Sequence, residues 1–153
     1  MKTDHQQIEQ SVTIHASREK IWDAITTPEH YTVWCSPFSE GCHFEGDWSE
    51  GSKMRFLGPD QDGTQGGMLS KVAVSRPGEQ IRLEHYGILD KSVELTEGEM
   101  VDQWCPSTEQ YTISGGPDEH TFTVNMDVPA EYFEMFSDNW AQAVQKIRAI
   151  AEA

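Results

Sequence analysis

A chain of 153 residues, 37% hydrophobic and 10% aromatic, has length for one domain burying about two-thirds of its unfolded surface, and is too apolar for a disordered segment. Its 26 acidic and 11 basic side chains give a formal net charge of −15, which repels phosphate backbones and anionic lipid alike. Nucleic acid and membrane are therefore set aside as partners.

The opening "MKTDHQQIEQ" carries no apolar stretch of the kind a signal peptide needs. No run approaches the ~18 apolar residues of a membrane span. Cys35, Cys42 and Cys105 are odd in number and irregularly spaced, so they are expected to be reduced thiols in a cytoplasmic protein.

In chain order, "IEQSVTIH" (Ile8–His15) alternates apolar and polar residues and predicts a first strand. Ser17 then suits the N-cap of a short helix, "REKIWDAIT", in which Ile21, Trp22 and Ile25 share a face. Thr27 as cap and Pro28 at a first helical position predict a second short helix, carrying Tyr31 and Trp34 inward. From Phe38 to Asp127 the period changes to two. Six segments, "CHFE", "SKMRFLG", "GMLSKVAVS", "QIRLEHYGIL", "EQYTIS" and "HTFTVNMD", are separated by turn clusters such as "PDQDG" and "GGPDE", which predicts an antiparallel meander. "LTEGEMVDQW" interrupts it. Thr96 and Glu99 have capping-box spacing, and Met100 and Trp104 lie four apart, so a short helix is expected there. The last segment, from near Pro129, repeats Phe133, Phe136, Trp140, Val144, Ile147 and Ala151 at intervals of three or four. That predicts one helix of about 35 Å. Helices at both ends of one antiparallel sheet make an α+β chain, read as a single domain over residues 1–153.

"SREKIWDAITTPEHYTVW" (Ser17–Trp34), "WSEGSKMRF" (Trp48–Phe56), "LEHYG" (Leu83–Gly87) and the closing "YFEMFSDNWAQAVQKIRAIAE" occur in an order that resembles the START/Bet v 1-like (SRPBCC) superfamily. More narrowly, they are similar to the group related to the C-terminal domain of the Hsp90 ATPase activator Aha1. The resemblance implies a helix-grip fold, in which a curved antiparallel sheet wraps the long C-terminal helix. It also implies an apolar cavity between them that holds lipids, sterols, polyketides or aromatic molecules. Some members are cyclases or hydrolases, and the Aha1 domain binds Hsp90. No catalytic motif carries over position by position, so no catalytic residue is assigned.

The expected ligand is a small apolar or aromatic molecule, and the expected wall is Trp34, Phe56, Met68, Leu83, His85, Tyr111, Phe122, Phe133, Phe136 and Trp140. Of these, Phe133, Phe136 and Trp140 mark where a cavity would lie, with Ile147 and Ala151 closing the core beyond. His85 is in phase with Ile81 and Leu83, among apolar neighbours, where a structural role and an acid–base role both remain open. His85 with Tyr111 is the one pair proposed for a cyclase- or hydrolase-like alternative. A homodimer and a chaperone stand as further partners, the chaperone lowest.

No metal or other cofactor is expected. Cys35-x6-Cys42-His43 matches no zinc spacing, and adjacent strand residues point to opposite faces. The Gly-rich turns lack a P-loop lysine and the spaced ligands of a calcium loop.

Overall fold

The computed structural model describes residues 4–153. Eight strands form one antiparallel sheet: β1 (His5–Ile14), β2 (His43–Glu45), β3 (Lys53–Pro59), β4 (Gln65–Arg76), β5 (Gln80–Asp90), β6 (Val93–Leu95), β7 (Ser107–Gly115) and β8 (His120–Pro129). The helices are α1 (Arg18–Thr26), α2 (Pro28–Trp34), α3 (Glu99–Trp104) and α4 (Phe133–Glu152). The strand order is β1-β8-β7-β5-β4-β3-β2, with β6 paired to β5 off that path. α4 packs on β1, α1 and α2, so the sheet grips the last helix as expected.

Alternation explains why these segments became strands. Ile8, Val12 and Ile14 of β1 are buried, as are Phe122, Val124, Met126 and Val128 of β8. Glu9, Ser11 and Thr13, between the buried residues of β1, are exposed. On α4, Trp140, Ala143, Val144, Ile147 and Ala151 are buried at helical spacing. Two register shifts in β4, at Leu69/Ser70 and Val72/Val74, break the strict period and bend the sheet.

Some local signals read differently in three dimensions. Ser17 caps α1 by accepting from the Lys20 amide. Thr27 makes no side-chain cap bond, although Pro28 does open α2. The Thr96–Glu99 capping box does not form: Gly98, at φ 111°, is the N-cap of α3. Ala130–Tyr132 form a 3₁₀ turn before α4, which shortens the 20-residue helix to about 30 Å. β6 is an addition to the expected meander. Arg18 ties the start of α1 to two hairpin turns, donating to the carbonyls of Gly78, Ile113 and Gly115 at 3.0–3.1 Å.

The cysteines correct an expectation. Cys35 and Cys42 form a disulfide, their Cα atoms 6.3 Å apart, so they are not reduced thiols here. The α2–β2 loop curls back on itself and brings two residues seven apart together. Cys105 is buried in a separate cluster with Ile88 and Val101. Closing a loop this short is expected to stabilise the fold by about 2 kcal/mol through the unfolded chain's lost entropy. Denaturant unfolding with and without a thiol reductant measures it. An unchanged midpoint on verified reduction would show that the bridge contributes nothing.

Candidate functional site

A cavity of about 440 Å³ lies between the sheet, the α2–β2 loop and the first turns of α4. α2 contributes Tyr31 and Trp34, and the bridged loop contributes Cys35, Phe38 and Cys42. β3 and β4 contribute Phe56, Gly67 and Met68, and β5 contributes His85 and Ile88. Trp104 of α3, Glu109 and Tyr111 of β7, Met126 of β8, and Phe136 and Trp140 of α4 complete the wall. Pro59, Asp60 and Met100, all exposed, mark the rim.

The aromatic residues form a continuous network. Trp140 is the hub, with ring centroids 5.6 Å from Trp34, 5.1 Å from Phe38 and 5.8 Å from Tyr111. Phe136 joins Phe38 and Trp104, each at 5.8 Å. Such edge and tilted contacts fix ring positions beyond what area burial alone would do.

Glu109 sets the polar chemistry. Its two carboxylate oxygens accept from different donors: His85 Nε2 at 3.2 Å, and the Tyr111 hydroxyl. Behind His85, Ser70 Oγ lies 2.5 Å from Nδ1. The ring is thus held from both sides, Nε2 against the carboxylate and Nδ1 against the serine hydroxyl. Ser70 is fully buried and does not line the cavity. The row is therefore not laid out as a serine nucleophile with its base, because the hydroxyl sits on the far side of the histidine from any ligand.

Burial, and then the Glu109 charge, raise the Tyr111 phenol well above its ordinary value. The same two causes raise Tyr31, whose hydroxyl has no hydrogen-bond partner among the described residues. Both phenols keep their protons where an unfolded tyrosine, at about 10, would lose its own. The stability this contributes is complete below about pH 10 and declines as pH rises above it, because the unfolded chain then releases protons the folded one retains. Of the four tyrosines, two are expected to ionise only as the fold is lost. Phenolate absorbance recorded with circular dichroism through an alkaline titration checks this. Four tyrosines ionising before any loss of structure would contradict it.

The cavity brings together Trp34, Phe56, Met68, His85, Tyr111, Phe136 and Trp140 from the wall expected on sequence. Leu83 and Phe122 are fully buried in the solid core and do not reach it. Phe133 packs against the core, outside the lining. Glu109, Phe38, Tyr31 and Trp104 were not among the expected wall residues. Glu109 had a readable signal, since it is two residues from Tyr111 and four from Ile113, in phase with the buried face of its strand. Among the described residues, no group of three or more His, Cys, Asp or Glu side chains is placed to hold a metal ion.

The profile of the family described as "Activator of Hsp90 ATPase homolog 1-like protein" matches residues 15–152. No curated protein matches the sequence. Among solved structures, protein MLL2253 from Mesorhizobium loti is similar with a TM-score of 0.70 at 13% identity, covering 95% of this chain and 96% of that one. The Aha1 dimer from Colwellia psychrerythraea gives 0.68 at 17% identity, covering 96% of each chain. DynU16, a protein in the dynemicin biosynthetic locus, gives 0.65 at 17% identity over 96% of this chain; this chain spans only 47% of DynU16. At these identities the likeness concerns the fold.

Proposed function

Because the chain belongs to the Activator of Hsp90 ATPase homolog 1-like family, within the START/Bet v 1-like superfamily, we propose that it binds a small apolar or aromatic molecule in the cavity between sheet and α4. The observation that carries this reading is the 440 Å³ space walled by aromatic rings around one hydrogen-bonded carboxylate. That volume lies within the range of small-molecule pockets, and an apolar wall with few polar groups is their usual composition. Binding would draw on apolar burial at roughly 25 cal/mol per Å². Tyr31 and the remaining lone pairs of Glu109 would orient the ligand.

The test is titration with the neutral fluorescent probe N-phenyl-1-naphthylamine. Saturable enhancement, with a matching change in tryptophan emission, is expected, and Phe136→Trp should weaken it by filling the space. No saturable signal with the folded protein would overturn the reading.

A second reading, an enzyme using the same cavity, is favoured by one observation: His85 and Tyr111 converge on Glu109. Proton transfer to or from a bound ligand would then run through these groups. Unchanged turnover of every candidate cyclase or hydrolase substrate in His85→Ala would remove it. No such observation favours the chaperone reading. Among the described residues, the exposed large apolar ones, Val33, Val93, Met100 and Met135, lie on four different elements.

We take the whole chain as one domain. The Colwellia dimer supports a homodimer as the assembly to test by light scattering. No described helix is long and apolar enough to cross a membrane. A cytoplasmic location remains part of the proposal, without the reduced-thiol argument that the Cys35–Cys42 bridge removes.

A further inference from the structure

We propose that the cavity selects organic cations: an apolar or aromatic body carrying an ammonium-type group, seated between the ring faces and the Glu109 carboxylate. This rests on the cavity being a ligand site and adds the charge of what it takes.

The inventory of the wall has one sign. Glu109 faces the interior, and Asp60 and Asp90 stand nearer the mouth. Among the described residues, no Lys or Arg lines the space. The nearby cations are engaged elsewhere: Arg55 pairs with Glu45 and Glu94, and Lys53 lies over the Tyr86 ring. His85, the other titratable group at the floor, spends its Nε2 proton on Glu109 while Ser70 faces Nδ1. Glu109 itself is 13% exposed, so its charge acts in a partly dehydrated setting where screening is weak.

A carboxylate has about four lone-pair sites, and two here are taken by His85 and Tyr111. Glu109 also lines the cavity, where no Lys or Arg among the described residues meets it. Eight aromatic residues line that space, and their faces attract positive charge. An anionic ligand would meet three carboxylates, with the one basic side chain of the described wall, His85, already bonded to Glu109. A neutral one would leave the Glu109 field unused. A cation uses both the rings and the charge.

The experiment compares two ligands of one shape, benzyltrimethylammonium and neopentylbenzene, which differ by N⁺ for C. Each displaces N-phenyl-1-naphthylamine from the full chain at fixed physiological ionic strength, where surface attraction by the −15 net charge is largely screened. The cation is expected to bind at least about tenfold tighter than the hydrocarbon, in keeping with a desolvated cation–π contact. In Glu109→Gln that preference should fall to within about twofold, read as the ratio of the two affinities in the variant. The variant retains an acceptor oxygen for His85, and the Tyr111 hydroxyl can turn to accept from the new amide. Should it fail to fold, the wild-type preference is measured again at about 1 M salt, where a preference that vanishes is surface attraction and overturns the proposal, and one that persists supports it.

Equal or weaker binding of the cation, with the probe still bound, overturns this proposal and leaves the cavity reading intact. A preference that persists in folded Glu109→Gln also overturns it, since the general surface charge would then be its source. Failure of the probe itself to bind removes both.

Discussion

Trp140→Ala is expected to lower the unfolding free energy by about 4 kcal/mol, within the range for deleting a large buried ring. Trp140 is 2% exposed and touches Trp34, Phe38 and Tyr111, and its Nε1 donates to Met126 Sδ. Its removal extends the existing cavity instead of opening an isolated one. Water entering from the cavity can hydrate part of the new surface, which argues against values beyond the usual range. Trp140→Phe retains most of the ring contacts and should cost roughly a third as much. Denaturant unfolding of both variants, read at constant m-value, provides the measurement. A Trp140→Ala loss below about 1.5 kcal/mol would mean that the neighbours collapse into the gap, and that the aromatic wall is not a rigid frame.

The second large effect is expected at Glu109. Glu109→Ala leaves the His85 N–H and the Tyr111 O–H without their acceptor, and orphaned buried donors cost about 1–3 kcal/mol each. Both face a space that water can enter, so the expected total is about 2 kcal/mol, with about 1 kcal/mol for Glu109→Gln. Combining Glu109→Ala with Tyr111→Phe should cost less than the sum, because the second change removes one orphan created by the first. A double-mutant cycle reads that coupling directly. Strict additivity would mean the carboxylate and phenol act independently, and the polar floor would lose its standing as a unit.

The order and type of the long elements were legible because apolar spacing changes along the chain, from a first alternating strand to helical spacing, then to period two, and back to three or four in the last helix. Ser17 and Pro28 marked two helix starts correctly, since a cap side chain and a fixed φ act within one turn. Thr96 misled for a physical reason: Gly98 takes a backbone angle that moves the helix start past the box. β6 was not readable because Val93 and Glu94 are exposed and give no alternating face. Depth was the larger gap. Leu83 and Phe122 share phase with residues on the wall, yet they lie where sheet and helix meet without space. Periodicity gives a face but not a position along it. The Cys35–Cys42 bridge depends on the path of an irregular loop, which spacing does not encode. Glu109 gives a weak signal because a charge in a strand ordinarily faces water, and only its phase with Tyr111 points otherwise.

β1 also constrains how the molecule comes to be folded. Its pairing partner is β8, and Ser11 meets Thr123, 112 positions further along the chain. Its inner face is covered by α4. During synthesis, therefore, the first strand and α1 emerge with neither their sheet neighbour nor their cover. The hairpins from β3 to β8 can zip locally, but closing the ends requires the whole span between them. Such non-local closure places refolding in the millisecond-to-second regime. The nascent chain carries an exposed apolar strand for as long as residues 120–152 are unmade, the interval in which a chaperone's help or an aggregate's harm would act on this protein.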